Sequence, residues 1–298
     1  MVGSWLVVAV LAAAAGATTA HLSNFYQQQW DGGLWQTGIA QLLFRNTPSE
    51  RALFAPKTTF GEWNLFSSFL LIPFTLGLWA WRREAGGRKS LVAAVGAIVF
   101  GLVAGVTRAA WLAMVGIVAL WCALRRPRAG QAATLGLMIA GALLVQALAL
   151  GMSPVWDRLS DRSTMEGRIA INRATLASWR DQPVFGHGAC SGNRLAVFLS
   201  ANRSEKTWNG NLEMFVLHDS GVLGLATLLG LVVVVCWRTT RAIRRDAAGQ
   251  ASSLTVPLLI GGGALGVAYQ FTHGLWLMYP YVYLGFLTAV TETTADEV

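Results

Sequence analysis

Apolar residues run along this chain in unbroken blocks rather than in alternation. The blocks cover about 3–20, 65–81, 90–106, 108–124, 131–152, 214–236, 254–272 and 275–291. Each is roughly 17–22 residues long, the length an α-helix needs to cross a hydrocarbon core of ~30 Å. Inside lipid a segment has to satisfy its own backbone polar groups, so blocks of this kind are expected to be helices. The runs at 91–106, 132–152 and 222–236 show no period of two, which argues against a membrane β-barrel. The pattern predicts an all-α, polytopic transmembrane helical bundle of about eight spans, forming a single membrane domain over 1–298. Two outer loops are expected, at about 21–64 and 153–213. The second, periplasmic or extracellular and partly helical, lies between spans 5 and 6. The first block has two readings. Small residues at 15–20 resemble a signal-peptide cleavage region, but Met1-Val-Gly-Ser carries no basic side chain, so a retained helix is the expectation.

Composition agrees with the pattern. Of 298 residues, 54% are hydrophobic and 13% charged, a poor fit to a water-soluble globular chain. The net charge of +8 raises the question of nucleic acid, and its distribution answers it. Arg82, Arg83, Arg88 and Lys89 share one short loop, Arg125, Arg126 and Arg128 a second, and Arg238, Arg241, Arg244 and Arg245 a third. Basic clusters in short loops beside apolar blocks mark the cytoplasmic side of a membrane, and no nucleic-acid partner is expected. Placing the N-terminus inside puts all three clusters in the cytoplasm, together with the C-terminus. That sidedness needs a turn at Thr107-Arg108, because fusing 90–106 with 108–124 would set the neighbouring basic loops on opposite faces.

Chemistry is expected where polar residues meet this frame. Arg108 lies between two apolar blocks, so it either faces a cavity or partner, or snorkels to the interface beside Trp111. The outer loop carries Arg158, Arg162, Arg168, Arg173, Arg180, Arg194, Arg203 and Lys206, with Asp157, Asp161, Glu166, Asp181, Glu205 and Glu213 among them. This is either a solvated surface paired with its own acids or a site for phosphate or pyrophosphate, which guanidinium groups bind bidentately. Within the loop, 167–179 has helical character, Asp181-Gln-Pro183 ends it, and Gly186-His-Gly188 makes a turn. His187 in that turn is a lesser catalytic candidate. Asn202-Arg-Ser204 matches a glycosylation acceptor, a pattern frequent by chance.

His218 and Asp219 sit where the loop re-enters the apolar frame. They are either a general base with an orienting carboxylate, or an interfacial histidine and a helix-capping aspartate ahead of Gly221. Cys122, Cys190 and Cys236 have neither a disulfide nor a zinc spacing. No phosphate-binding Gly-x-x-x-x-Gly-Lys loop, Asp-x-Asp pair or metal box appears, so neither metal nor cofactor is expected. A transporter would show facing broken helices and inverted repeats. Pro257 and Pro280 lie near block ends, and Gly261-Gly-Gly263 is the one expected break.

Four pieces of the chain stand out together: Phe60-Gly-Glu-Trp-Asn-Leu-Phe-Ser-Ser-Phe69, Thr107-Arg108-Ala-Ala, Gly167-Arg168 with Trp179-Arg-Asp-Gln-Pro-Val-Phe-Gly-His-Gly188, and Leu217-His-Asp-Ser-Gly-Val-Leu-Gly224. In order and spacing they resemble the O-antigen ligase and polymerase family of polytopic membrane glycosyltransferases. The first is similar to its Gly-x-x-Asn segment entering a helix, and the second to its Ser/Thr-Arg motif between two helices. The third resembles the Arg … Asp-x-Pro stretch of its large periplasmic loop, and the fourth the segment closing that loop. The resemblance implies a bacterial inner-membrane enzyme of cell-envelope polysaccharide or lipopolysaccharide assembly. Such an enzyme moves a glycan from an undecaprenyl pyrophosphate carrier to an acceptor hydroxyl on lipid A core or on another carrier-linked unit, without metal. Arg108 and Arg168 would neutralise the pyrophosphate, His218 oriented by Asp219 would take the acceptor proton, and Arg173 and Asn211 would be secondary binding residues. Where the family carries His-Asn, this chain has Gly210-Asn211, so the histidine role passes to His218 or is lost. The family's ten to twelve spans exceed the number expected here. The difference is expected before Met1, as a truncated gene product or a true short form. The rival expectation is a non-catalytic transporter or partner subunit of a polysaccharide export complex.

Overall fold

The computed structural model describes residues 63–83, 89–105, 107–125, 127–150, 163–189, 191, 211–245, 252–272 and 278–296. The expected first span and most of the loop at 21–64 lie outside them, as do Arg158, Arg162, Cys190, Arg194, Asn202, Arg203, Lys206 and Gly210. Regular structure in the described residues is entirely α-helical. The helices are α1 (Trp63–Arg83), α2 (Lys89–Ala104), α3 (Arg108–Arg125), α4 (Ala129–Leu150), α5 (Ser163–Trp179), α6 (Leu212–Arg245), α7 (Ser252–Tyr269) and α8 (Met278–Asp296). Two of them, over Asn64–Trp81 and Leu212–Arg244, are long and apolar enough to cross a membrane, while the apolar parts of α2, α3, α4 and α7 are shorter.

The chain divides into two compact units. The first holds α1–α4 and residues 256–265 of α7; the second holds α5, α6, α8 and both ends of α7. In the first unit α1 is the central element, packed on α2 and α3, and α2 also packs on α4. Phe66, Leu70, Leu71 and Phe74 of α1 and Val95, Ile98, Val99 and Leu102 of α2 are fully buried. Polar ties finish the helix ends, whose last carbonyls lack intrahelical partners. Gln131 Nε2 at the start of α4 donates to the Trp81 carbonyl over 2.8 Å.

The turn between α2 and α3 is as short as the charge pattern requires. The Gly105 amide bonds the Gly101 carbonyl, the Trp111 amide bonds Thr107 O, and Trp111 Nε1 reaches back to Leu102 O at 3.0 Å. A β-carbon on Gly105 would stand 2.0 Å from Ser67 Oγ, so glycine lets the turn press against α1.

The expected break at Gly261-Gly-Gly263 is absent: α7 runs through it. The glycines serve approach instead, since a β-carbon on Gly261 would meet Thr75 Oγ1 of α1 at 2.8 Å. The broken helix is α6, where Gly221 adopts φ 65° and ψ −166°. Carbonyls before such a break and amides after it lose their i→i−4 partners and need others nearby.

Candidate functional site

The four segments singled out in the sequence meet in pairs, one pair in each unit. In the first unit Thr107 Oγ1 lies 3.0 Å from Asn64 Oδ1 and 2.9 Å from the Gly105 carbonyl, joining the Asn64 segment to the Thr107-Arg108 turn. Arg108 is the first residue of α3 and partly exposed. A cation there opposes the helix dipole, so its position is not explained by helix stability.

In the second unit the turn after α5 fills the break in α6. The amides of His187 and Gly188 donate to the carbonyls of His218 and Asp219, each over 2.9 Å. In return the Val222 and Leu223 amides donate to the carbonyls of Pro183 (2.9 Å) and Val184 (3.4 Å). The Pro183 carbonyl also accepts from Trp179 Nε1 at 3.0 Å, so its two lone pairs are both engaged. The contact is backbone against backbone. A β-carbon on Gly186 would lie 2.5 Å from the Gly221 nitrogen, and one on Gly221 2.2 Å from the Val184 carbonyl oxygen. Both glycines have positive φ, so these positions favour glycine by conformation as well as by space. The Val222 and Leu223 amides after the break are thus capped by Pro183 and Val184, and the Asp219 side chain has a further role.

That role is a buried polar cluster. Ser191 Oγ lies 2.8 Å from Asp219 Oδ1 and 3.0 Å from His218 Nδ1, and His218 Nε2 lies 3.1 Å from Ser178 Oγ. The partners select a tautomer. Ser191 donates its single proton to the carboxylate, so it accepts from Nδ1–H, and Nε2 accepts from the Ser178 hydroxyl. His187 stacks on His218, with ring centroids 4.7 Å apart and planes 20° from parallel. His187 Nε2 donates to the Ser178 carbonyl at 2.8 Å. His218 is 2% exposed and Asp219 6%, so the pair sits inside the unit, and part-exposed Ser178 is its hydroxyl nearest the surface.

The same face of α5 carries the charge. Arg168, Ile171, Thr175 and Ser178 follow one another at i, i+3, i+7 and i+10, a single stripe, and Ile171 and Thr175 are buried where α5 packs on α6. At the far end of this stripe Arg168 Nη1 donates to the Phe271 carbonyl, and its guanidinium stands 5.9 Å from the Phe271 ring centre. The neighbouring Gln270 takes Asn211 Nδ2 on its side-chain oxygen at 3.2 Å and donates to Glu213 Oε1 at 2.6 Å. Asn211 Oδ1 in turn caps α6 by accepting the Met214 amide at 2.8 Å.

Arg168 and Asn211 are therefore gathered at the start of α6, with His218 and Asp219 about two turns further along it. Arg173 points the other way, exposed on the outer face of α5, and Arg108 belongs to the first unit. Ser178, Ser191 and Gln270 were not among the expected site residues. The seven-residue spacing of Ile171 and Ser178 around Thr175 was the available signal for the first of them. No group of three or more metal-ligating side chains occurs among the described residues. No protein-family model matches the chain, and no curated protein matches it.

Proposed function

We propose that the chain is a multi-pass protein of a bacterial inner membrane, with about eight spans and both termini in the cytoplasm. In this reading it transfers a glycan from an undecaprenyl pyrophosphate carrier to an acceptor hydroxyl in cell-surface polysaccharide assembly. Membrane residence is supported by α6. Only 6% of an apolar 18-residue stretch within it is buried, and Val222, Leu223, Leu229 and Val233 are about half exposed or more. An apolar face of that length needs a lipid or protein covering.

The observation that carries the transferase reading is the convergence of Arg168 and Asn211 with Gln270 and Glu213 at the start of α6, with Arg168 on the same α5 stripe as Ser178 of the His218 cluster. Negative charge grows on the pyrophosphate as the anomeric C–O bond breaks, and a fixed guanidinium stabilises that change more than it stabilises the ground state. Arg108, in the first unit, stays a pyrophosphate candidate on the family resemblance alone. The acceptor hydroxyl loses its proton to Ser178 Oγ as Ser178 passes its own to His218 Nε2. The resulting imidazolium keeps Nδ1–H on Ser191, and Asp219, 3.5 Å from Nδ1, balances its charge. The acceptor oxygen then bonds the anomeric carbon and the carrier pyrophosphate leaves.

A second reading rests on a specific observation: His218 is almost fully buried, and both of its ring nitrogens are engaged. On that reading the cluster is a structural lock in a non-catalytic export subunit. Mass spectrometry of lipid-linked intermediates in a deletion strain separates the two. The transferase reading expects carrier-linked glycan to accumulate, as single units for a polymerase or as long chains for a ligase. An unchanged carrier pool contradicts it.

A further inference from the structure

The last turns of α6 carry a feature that the transfer chemistry does not use. Trp237, Thr240, Arg241 and Arg244 recur at i, i+3, i+4 and i+7, so they form one stripe of the helix. With Cys236 they line an open depression of about 470 Å³. Trp237 is 59% exposed, and the Arg241 guanidinium stands 5.6 Å from the centre of its ring, within cation–π range. Among the described residues none that lines it is acidic. Arg238 lies off this stripe and faces Glu292 of α8 at 3.6 Å.

Positive-inside sorting explains arginines at this end of the helix, but it does not require them to share a stripe with an exposed indole and a hydroxyl. One turn back along the same face comes Val233, and two turns back Gly230 and Leu229. Val233 is 65% and Leu229 49% exposed, and a β-carbon on Gly230 would meet nothing within 4 Å. An apolar strip thus leads straight into a cationic pocket edged by tryptophan, the residue that favours the headgroup level of a bilayer.

We propose that Trp237, Thr240, Arg241 and Arg244 bind the phosphate headgroup of an anionic phospholipid, with an acyl chain lying along Val233, Gly230 and Leu229. Two guanidinium groups match phosphate oxygens bidentately, the Thr240 hydroxyl adds a donor, and the two cations favour a net negative headgroup over a zwitterionic one. The inference rests on α6 crossing a membrane and is independent of glycan transfer.

Native mass spectrometry of the full chain released from detergent tests it, with phosphatidylglycerol, phosphatidylcholine and inorganic phosphate as probes. Wild type is expected to retain phosphatidylglycerol in preference to phosphatidylcholine and in the presence of inorganic phosphate. R241Q/R244Q is expected to lose about tenfold in occupancy, whereas R125Q/R126Q, which removes the same charge elsewhere, keeps it. R241K/R244K, which keeps charge and helix but not the bidentate fork, is expected to fall severalfold. Equal phosphatidylglycerol occupancy in R241Q/R244Q or in R241K/R244K overturns the proposal. So does equal retention of phosphatidylcholine, or displacement of the lipid by inorganic phosphate, which would mark a general phosphate site.

Discussion

His187 and His218 stack at 4.7 Å although 31 positions separate them in the chain, and both rings turn a nitrogen toward Ser178. The stack holds the turn after α5 to the first half of α6. Replacing His187 by Phe keeps a ring there but removes the bond to the Ser178 carbonyl, a loss of about 1 kcal/mol. Replacing it by Ala removes the stacking as well, adding about 0.5–1.5 kcal/mol. Denaturant unfolding in detergent should rank the proteins wild type, H187F, H187A. Equal stability of all three would show that the stack ties nothing.

The glycines at the break provide a graded test. Gly188 has φ 91° with open space around its Cα, whereas Gly221 has φ 65° and a carbonyl oxygen 2.2 Å from where a β-carbon would sit. Gly188→Ala therefore costs only conformational strain, about 1 kcal/mol. Gly221→Ala costs that strain and the displacement of the 183–188 turn, with the loss of several backbone hydrogen bonds, together about 3 kcal/mol or more. Thermal unfolding of the two variants reads the difference. A Gly221→Ala protein as stable as Gly188→Ala would contradict the backbone contact.

Ser191 joins a buried carboxylate to a buried imidazole. Ser191→Ala leaves both with one fewer partner in a dry setting and should cost about 1–3 kcal/mol. Ser191→Thr retains the hydroxyl and should recover most of it. The same unfolding measurement decides, and an Ala variant matching wild type would mean that other groups satisfy Asp219.

Helix positions were largely legible in the sequence, because apolar blocks end at arginine clusters and turn residues. The turn at Thr107 followed from charge sidedness, and the one at Gly186–Gly188 from its glycines. The break in α6 was not legible. Gly221 lies beside an unbroken apolar run, and its positive φ is held by carbonyls more than 30 positions earlier. The reverse error occurred at Gly261–Gly263, where glycine gives closeness to Thr75 rather than a bend. For the candidate site, the sequence pointed to His218, Asp219, Arg168 and Asn211 individually. It ranked Arg168 above Arg173 through the family resemblance alone, because both lie in one basic helix and the packing of α5 on α6 is what tells the inner face from the outer. Ser178 and Ser191 matter through partners 40 and 28 positions away, which no local pattern records.

The pyrophosphate role proposed for Arg168 is the centre of the functional account, and Arg173 on the outer face of the same helix is its internal control. Cells lacking the gene, complemented with wild type, Arg168→Ala or Arg173→Ala at equal membrane abundance, should be compared for surface glycan length and attachment. Removing one fixed donor to a developing charge costs about a hundredfold in rate, so Arg168→Ala should leave the glycan defect uncorrected while Arg173→Ala restores it. Full restoration by Arg168→Ala would contradict the transferase account.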